Sequence, residues 1–236
     1  RDKVLYVTMD MWSTYRDIVK HFFKNAEIAV DSFHVMENIN RTMNKIRCIV
    51  MAKYNQKTEV LEDNHLFYYF LKKFDYFFTK EFDDITEYPI RVQKLKTKLD
   101  KYEILKYLLD IDDRINKAYE LTSKYREFNK TCTFENAATE LDEIINDFYN
   151  SKLNPMIEVA KTLSTWKEYI INSFIVIPDS LDSNNKPRRL SNGPMESLNG
   201  RIKRLLYDEY GYSNFRRFWN RLMFTLNKDE PVKFNK

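Results

Sequence analysis

Glycine is almost missing from this chain of 236 residues. Only three glycines occur, at Gly193, Gly200 and Gly211, so that the first 190 residues contain none. Folds rich in hairpins need residues that tolerate positive φ angles, and glycine does so at the lowest cost. The composition therefore predicts a mostly helical chain rather than a β-sandwich or a β-barrel.

Cysteine and long apolar runs are also scarce. The two cysteines, Cys48 and Cys132, are far apart and belong to no Cys-x-x-Cys or Cys/His cluster. This argues against structural zinc and a disulfide framework, and it is typical of a reducing cytosol. No apolar run approaches the ~18 residues of a membrane span, and the first residues do not have the pattern expected of a signal peptide. Because the chain opens at Arg1 almost directly into a strand, we expect it to be the later part of a longer protein.

The basic residues are concentrated near the C-terminus. The whole chain has a formal net charge of only +4, from 39 Lys+Arg against 35 Asp+Glu. From Lys186 onward there are 12 Lys+Arg against 5 Asp+Glu, a net of +7, which leaves 27 against 30 in the preceding residues. This distribution predicts one electropositive face. Charge alone is equally compatible with a solvated basic helix.

The first 35 residues read as strand, helix and strand. Val4–Val7 and Ala26–Val30 are short apolar runs, and the segment between them has apolar residues at helical spacing. Two strands joined by a crossover helix are parallel, and ligands bind at the carboxyl ends of parallel strands. Asp10 and Asp31 follow the two runs, so we expect both to lie at that edge.

A long helical segment follows, which we place at 36–177. Its apolar residues recur at spacings of three and four, beginning with Val35, Ile39, Met43, Ile46 and Val50. We expect about five helices in this segment. Pro89 is expected to begin one of them, and the buried face of that helix is expected to carry Val92, Leu95, Leu99, Tyr102 and Leu105. The aromatic residues between Leu61 and Phe82 have a helical period, which favours a core over a platform for stacking bases.

The C-terminal part is expected to consist of a surface connection at 178–193 and two helices at 194–236. Pro194 suits the first turn of the first helix, and Gly211 suits the left-handed residue after its end. Glu196, Asn199 and Lys203 share one face of this helix. The adjacent buried stripe is predicted to consist of Met195, Leu198, Ile202 and Leu205.

Four ordered blocks of this sequence resemble the DDE-type transposases of bacterial insertion sequences, most closely the ISL-three branch. The blocks read TMDMWSTYRDIVKHFF, NAEIAVDSFHVMENIN, SNGPMESLNGRIKRLL and GYSNFRRFWNRL. They cover roughly ninety residues at the two ends, whereas the helical middle resembles the family only in kind. The resemblance implies an α/β, predominantly helical protein: a partial ribonuclease-H-like core at 1–35, completed by 194–236 and interrupted by a large all-α insertion.

The resemblance also implies catalytic residues. Asp10 corresponds to the second catalytic carboxylate of the family and Glu196 to the third, and both are expected to bind metal. The first aspartate of the family has no counterpart in this sequence, so we expect the segment alone to be inactive or nearly so. Asp31 and His34 match an Asp-x-Phe-His block and are expected to support the site. Two Mg²⁺ or Mn²⁺ ions would activate the attacking oxygen and stabilise the leaving oxygen during phosphodiester cleavage and strand transfer.

The expected partner is DNA, both the terminal repeats of the element and the target, and the protein is expected to act as a homo-oligomer on it near the nucleoid. The candidate DNA-binding residues are Arg188, Arg189, Asn199, Arg201, Lys203, Arg204, Arg216 and Arg217.

Each candidate also has a structural explanation. Asp10 can simply end a strand, and Asp31 can cap a helix. Glu196 can stabilise a helix by interacting with the positive end of its dipole. His34 can be a structural histidine, and the acidic residues Asp110, Asp112 and Asp113 are read as a solvated face. Two other functions stay open: a different ribonuclease-H-like nuclease such as a resolvase, and a non-enzymatic helical DNA-binding or assembly module. The second would gain if the two predicted strands were absent or unpaired.

Overall fold

The computed structural model describes residues 1–55, 62–181, 185, 187–208, 211 and 213–227. The chain divides into two compact units, Arg1–Ser191 and Asn192–Lys236. Among the described residues, helices predominate and the strands form three separate two-stranded sheets. None of the described helices has the length and apolar character needed to cross a membrane.

The first unit begins with the predicted strand, helix and strand. Strand β1 (Tyr6–Met9) and strand β2 (Glu27–Val30) are parallel, and helix α1 (Ser13–Phe22) connects them. The sequence prediction ended the first strand too early, because β1 continues through Met9, which pairs with Val30. Ala29 and Val30 are fully buried, so β2 lies in the core.

Among the described residues of the first unit, six further α-helices occur. They are α2 (Ser32–Lys53), α3 (Glu62–Lys73), α4 (Lys101–Asp110), α5 (Asp113–Thr131), α6 (Phe134–Asn150) and α7 (Asn154–Asn172). The predicted apolar stripe of α2 is buried, from Val35 to Val50. Of the aromatic residues predicted to be core, Phe70, Phe74, Phe77 and Phe78 are each at most 1% exposed, whereas Phe67 and Tyr68 are half-buried. Helix α7 packs on β2, where the Asn172 side-chain amide donates to the Ile28 carbonyl oxygen at 2.8 Å.

The prediction that a helix begins at Pro89 is wrong. Strands β3 (Ile90–Val92) and β4 (Thr97–Leu99) form an antiparallel hairpin there, and α4 begins only at Lys101, after a capping box made by Asp100 and Glu103. Lys96 has a φ angle of 54° and supplies the left-handed residue of the turn without a glycine. The range 36–177 is therefore not all-helical.

The expected surface connection at 178–193 also contains pairing. Strand β5 (Val176–Leu181) pairs with β6 (Pro187–Arg189) in an antiparallel, irregular ladder. Residues 182–184 and 186 of that range lie outside the described residues, as do 209–210, 212 and 228–236 of the predicted range 194–236.

The second unit contains helix α8 (Gly193–Asp208) and helix α9 (Phe215–Leu226). Gly211 has a φ angle of 90°, so the predicted left-handed residue after the first of these helices is confirmed. The prediction of a buried apolar stripe on α8 is wrong. Met195 is 56% exposed, the other three positions are half-buried, and none of the residues of α8 whose burial is described is fully buried.

Candidate active site

The carboxyl ends of β1 and β2 bring Asp10 and Asp31 to one edge of the first sheet. Met9 pairs with Val30, and the backbone N–H of Asp31 donates to the Met9 carbonyl oxygen at 3.0 Å. The two aspartates are therefore neighbours across the strand ends, as the parallel connection predicted.

The two aspartates nevertheless have different surroundings. Asp31 is 4% exposed and caps α2, where its Oδ1 accepts from the backbone N–H of Phe33 at 2.9 Å. The side chain of Asp10 is 50% exposed. Because α2 starts immediately after Asp31 but α1 starts three residues after Asp10, only Asp31 is placed to cap the following helix. The carboxylate that faces solvent at this edge is that of Asp10.

His34 contacts the carboxylate of Asp10 from the first turn of α2. Its Nε2 lies 2.8 Å from Asp10 Oδ1, and its Nδ1 lies 3.6 Å from Glu37 Oε2. Arg41 in turn donates to Glu37 Oε1 at 2.6 Å. The Arg41 hydrogen bond lowers the pKa of Glu37, and the contact with His34 adds to this effect.

Glu37 and Arg41 are not among the residues that the sequence analysis selected. They stand three and seven positions after His34, on the same face of α2. That spacing is the signal that would have identified them. The resulting chain of contacts runs from Arg41 through Glu37 and His34 to Asp10.

The donor chemistry of this edge suits a hard divalent cation only in part. Mg²⁺ and Mn²⁺ prefer carboxylate oxygens, and Asp10 offers one exposed carboxylate. Asp31 uses one oxygen as a helix cap, and His34 contacts Asp10. Over the described parts of the chain, no group of three or more histidine, cysteine, aspartate and glutamate side chains lies close enough to hold a metal ion. Further carboxylates would be required for a two-metal site.

In the second unit, Glu196 occupies the first turn of α8 and is exposed. Its backbone N–H donates to the Asn192 carbonyl oxygen at 2.9 Å. Asn199 and Lys203 are also exposed, at the same-face spacing that the sequence predicted. Glu196 therefore presents its carboxylate in a position open to a ligand.

The candidate cations of the second unit are all exposed. Arg201 donates to the Thr225 carbonyl oxygen at 3.2 Å and so connects α8 to α9. The exposed candidates are Arg201, Lys203, Arg204, Arg216 and Arg217.

Arg188 and Arg189 belong to β6 in the first unit and differ in their contacts. The Arg189 guanidinium donates to the backbone and side-chain oxygens of Asn129, both at 3.0 Å, and lies 4.4 Å from the centre of the Phe174 ring. Burial lowers the pKa of Arg189. Both arginines are half-buried and line a cavity of about 1050 Å³. The contacts with Asn129 and Phe174 give Arg189 a structural role beside this cavity.

Comparison with protein families gives one result that covers most of the chain. A family model described as a transposase, of the DDE type and the ISL-three branch, matches residues 1–222. Comparison with curated proteins and with solved structures gives no match.

Proposed function

Because the chain belongs to the ISL-three family of DDE transposases, we propose that Asp10 and Glu196 hold divalent metal ions for cleavage and joining of DNA at the ends of an insertion sequence. The core that carries them would be ribonuclease-H-like, with residues 36–177 inserted between the two carboxylates and residues 194–236 completing the core. The family membership itself implies a DNA-cutting and DNA-joining role.

The observation that carries this proposal is the contact between His34 and Asp10 at the end of β1. An exposed carboxylate at the carboxyl edge of a parallel pair stands where α/β folds place their ligands. The imidazole at 2.8 Å restricts its rotation. The parallel pairing of β1 and β2 also argues against a purely helical assembly module.

Chain length supports the assignment of Glu196. Ser191 ends the first unit, and its carbonyl oxygen lies 3.5 Å from the Thr8 hydroxyl in β1. Glu196 follows five residues later, and five residues span at most roughly 18 Å when fully extended. A position for Glu196 near the edge that carries Asp10 is therefore within reach of the chain.

In the proposed reaction, bound Mg²⁺ or Mn²⁺ ions would stabilise the negative charge that develops on the attacking and leaving oxygens of the phosphodiester. Asp10 and Glu196 would donate carboxylate oxygens to these ions. His34 would orient Asp10, and Glu37 with Arg41 would fix the imidazole. Lys203 and Asn199 would contact the DNA backbone beside Glu196, and we propose that the protein acts on DNA as a homo-oligomer.

Iron-mediated cutting of the polypeptide tests the shared metal site without requiring activity. Ferrous iron replaces Mg²⁺ at oxygen-rich sites, and with ascorbate and peroxide it generates hydroxyl radicals that cut the chain nearby. We expect cuts near both Asp10 and Glu196, and we expect Asp10→Asn or Glu196→Gln to abolish both sets. Asp17→Asn and Asp208→Asn serve as controls in the two units and should leave the cuts unchanged. Cuts at one carboxylate that persist when the other is replaced would refute a shared site.

The reaction type needs a separate measurement. A transposase joins the freed 3′-hydroxyl to target DNA, whereas a resolvase-like or other nuclease of the same fold only cleaves. We expect the full-length protein to give both cleavage and strand transfer, each abolished in Asp10→Asn. Cleavage without strand transfer would favour the nuclease, and retention of both activities in Asp10→Asn and Glu196→Gln would refute the site.

A further inference from the structure

A cationic surface lies on the β3–β4 hairpin and the adjacent end of α3, and none of its residues is among the candidates above. We call it the hairpin surface. All of its cationic side chains are exposed: Arg91, Lys94, Lys96 and Lys98 from the hairpin, and Lys72 and Lys73 from α3.

The cations of the hairpin surface are not paired with carboxylates in the described part of the chain, whereas many other lysines of the first unit are. Elsewhere, six lysines form ion pairs: Lys53, Lys101, Lys117, Lys124, Lys161 and Lys167. Within the described part of the chain, none of the six cations of the hairpin surface lies within 4.0 Å of a carboxylate oxygen. Their charge is therefore available to an external anion.

The strand register adds an electrostatic cost that an anion would relieve. Arg91 pairs directly with Lys98 across the hairpin, while Val92 and Leu99 point into the core. Like charges directly opposite each other destabilise an antiparallel pair. A bound phosphate backbone would convert this repulsion into attraction to both side chains.

The hairpin surface is held in place by packing and hydrogen bonds. The Tyr69 hydroxyl oxygen accepts from Lys73 Nζ at 2.9 Å and from the backbone N–H of Gln93 at 3.3 Å, so it connects α3 to the hairpin. Beside this contact lies a cavity of about 460 Å³, lined by His65, Tyr68, Tyr69, Lys72, Lys73 and Lys94. Lys94 thus belongs to both the turn and the cavity, and the Tyr69 contacts join the two elements that carry the cations.

We propose that the hairpin surface binds the phosphate backbone of duplex DNA, as a second contact region separate from the Asp10 edge. The choice of DNA as the anion rests on the membership of the transposase family. Charge complementarity supports it, because exposed lysines and arginines can neutralise the phosphates of a DNA backbone.

Helix α2 begins beside the Asp10 edge and contacts the end of α3 further along its length. It therefore gives a scale for the separation between the proposed metal site and the hairpin surface. Arg47 of α2 donates to the Leu71 carbonyl oxygen near the end of α3 at 2.6 Å. Arg47 follows Asp31 by sixteen residues, which is roughly 24 Å of helix at 1.5 Å per residue. This distance corresponds to about seven base pairs at 3.4 Å each.

The first test compares two variants that have the same reduction in charge. The hairpin variant carries Arg91→Gln, Lys94→Gln and Lys98→Gln. The control carries Lys117→Gln, Lys124→Gln and Lys161→Gln, three lysines that are paired with carboxylates. Binding of a fluorescent 30-base-pair duplex is followed by anisotropy at several salt concentrations.

We expect the affinity of the hairpin variant to fall at least about tenfold at low salt. Its slope of log K against log salt should decrease by about 0.9 for each phosphate that the protein no longer neutralises. The affinity of the control should fall less than threefold. Equal decreases in the two variants would show a general effect of net charge and overturn the proposal. Tighter binding to phosphatidylserine vesicles than to the duplex, abolished in the hairpin variant, would also overturn it.

A single-residue comparison separates binding from folding. Lys96 and Lys152 are both exposed lysines with positive φ angles, 54° and 60°. Glycine relieves the cost of that conformation, so Lys96→Gly and Lys152→Gly should each raise the Tm. Only Lys96→Gly should weaken duplex binding, by about two- to fivefold. Unchanged binding in Lys96→Gly, or equal weakening in both, would contradict the proposal.

Failure of this proposal is distinguishable from failure of the proposed metal site. Asp10→Asn and Glu196→Gln should abolish iron-mediated cutting and retain duplex affinity. The hairpin variant should show the reverse pattern.

Discussion

The Nε2 atom of His34 lies 2.8 Å from Oδ1 of Asp10, so a residue in the first turn of α2 holds the carboxylate at the end of β1. The contact joins two elements that meet at the carboxyl edge of the parallel pair. In metal sites, hydrogen-bond partners of the ligands fix the ligand orientation and are nearly as important as the ligands. His34 is therefore proposed as a positioning residue for Asp10.

Replacing His34 should weaken metal binding without unfolding the protein. We expect His34→Ala to bind Mn²⁺ about ten- to a hundredfold more weakly, because outer partners of ligands contribute this much. His34→Gln retains a donor and should recover part of the affinity. His21→Ala, in α1, is the matched control, and isothermal titration with Mn²⁺ is the measurement. Unchanged affinity in His34→Ala would show that the imidazole does not position Asp10.

Asp31 should affect stability more than metal binding, because its carboxylate caps α2. Loss of a helix cap costs about 0.5–2 kcal/mol, so Asp31→Ala should lower the free energy of unfolding by about that amount. Asp31→Asn keeps an acceptor for the Phe33 N–H and should cost less. Urea denaturation gives the stabilities. If Asp31→Asn reduces Mn²⁺ affinity as strongly as Asp10→Asn does, Asp31 is a ligand rather than a cap.

Asp10 and Asp31 show which features of the site can be predicted from the sequence and which cannot. Hydrophobic periodicity and the handedness of parallel connections predicted that both would lie at one edge, and the strand pairing confirms the position. The role of each depends on the distance to the next helix, which cannot be read reliably because helix ends are uncertain by one or two residues.

The β3–β4 hairpin shows where the sequence prediction fails. Val92 and Leu99 have a spacing that also fits a helical face, and the absence of glycine argued against a tight turn. Lys96 adopts the left-handed conformation that the prediction reserved for glycine. Burial of Val92 and Leu99 in the core outweighs this local cost of about 1–2 kcal/mol.

Arg126 should be the most sensitive charged residue of α5. It is 9% exposed and donates to Asn40 Oδ1 at 2.8 Å and to the Phe78 carbonyl oxygen at 2.7 Å. Arg126→Met removes these donors and leaves one buried and one half-buried acceptor, which should cost about 2–3 kcal/mol. Lys124→Met, on the same helix, breaks an exposed pair with Asp147 and should cost less than about 1 kcal/mol. Equal stabilities in urea denaturation would contradict the role assigned to Arg126.

Asp112 should make the stability of the fold depend on acid pH. The sequence pattern indicated a solvated face at this position, but Asp112 caps α5 and forms an ion pair with Arg114. The hydrogen bond from the Arg114 side chain, together with one from its backbone N–H, lowers the pKa of Asp112 to about 2.

Because the folded pKa of Asp112 is below its ordinary value of 3.8, its stabilising contribution is fully present above pH 4 and is lost as the pH falls towards 2. The lowered pKa corresponds to roughly 2 kcal/mol at 1.36 kcal/mol per pH unit. We expect Asp112→Asn to lose less stability than the unmodified protein between pH 4.5 and pH 2. Denaturation at a series of pH values measures this, with Asp113→Asn as the control. Parallel pH profiles for the unmodified protein and Asp112→Asn would contradict the pKa assignment.

The proposed DNA contacts predict a dependence on duplex length. The segment of α2 from Asp31 to Arg47 is roughly 24 Å long, so we expect a duplex that reaches both the Asp10 edge and the hairpin surface to need more than about seven base pairs. Two surfaces that bind one duplex increase the apparent affinity, because the second contact forms at a high effective concentration. Affinity should therefore rise more steeply between six and twenty base pairs than the number of phosphates alone predicts.

The hairpin variant isolates this effect. Replacement of Arg91, Lys94 and Lys98 by glutamine removes three of the six cations of the hairpin surface, so the affinity of this variant should rise less steeply with duplex length than that of the unmodified protein. The control with Lys117, Lys124 and Lys161 replaced should keep the steep rise. Anisotropy measurements on a series of duplexes give both curves at fixed salt. If the hairpin variant keeps the steep rise, the second contact region lies elsewhere on the chain, since the loss of three of its six cations should weaken binding at the hairpin surface.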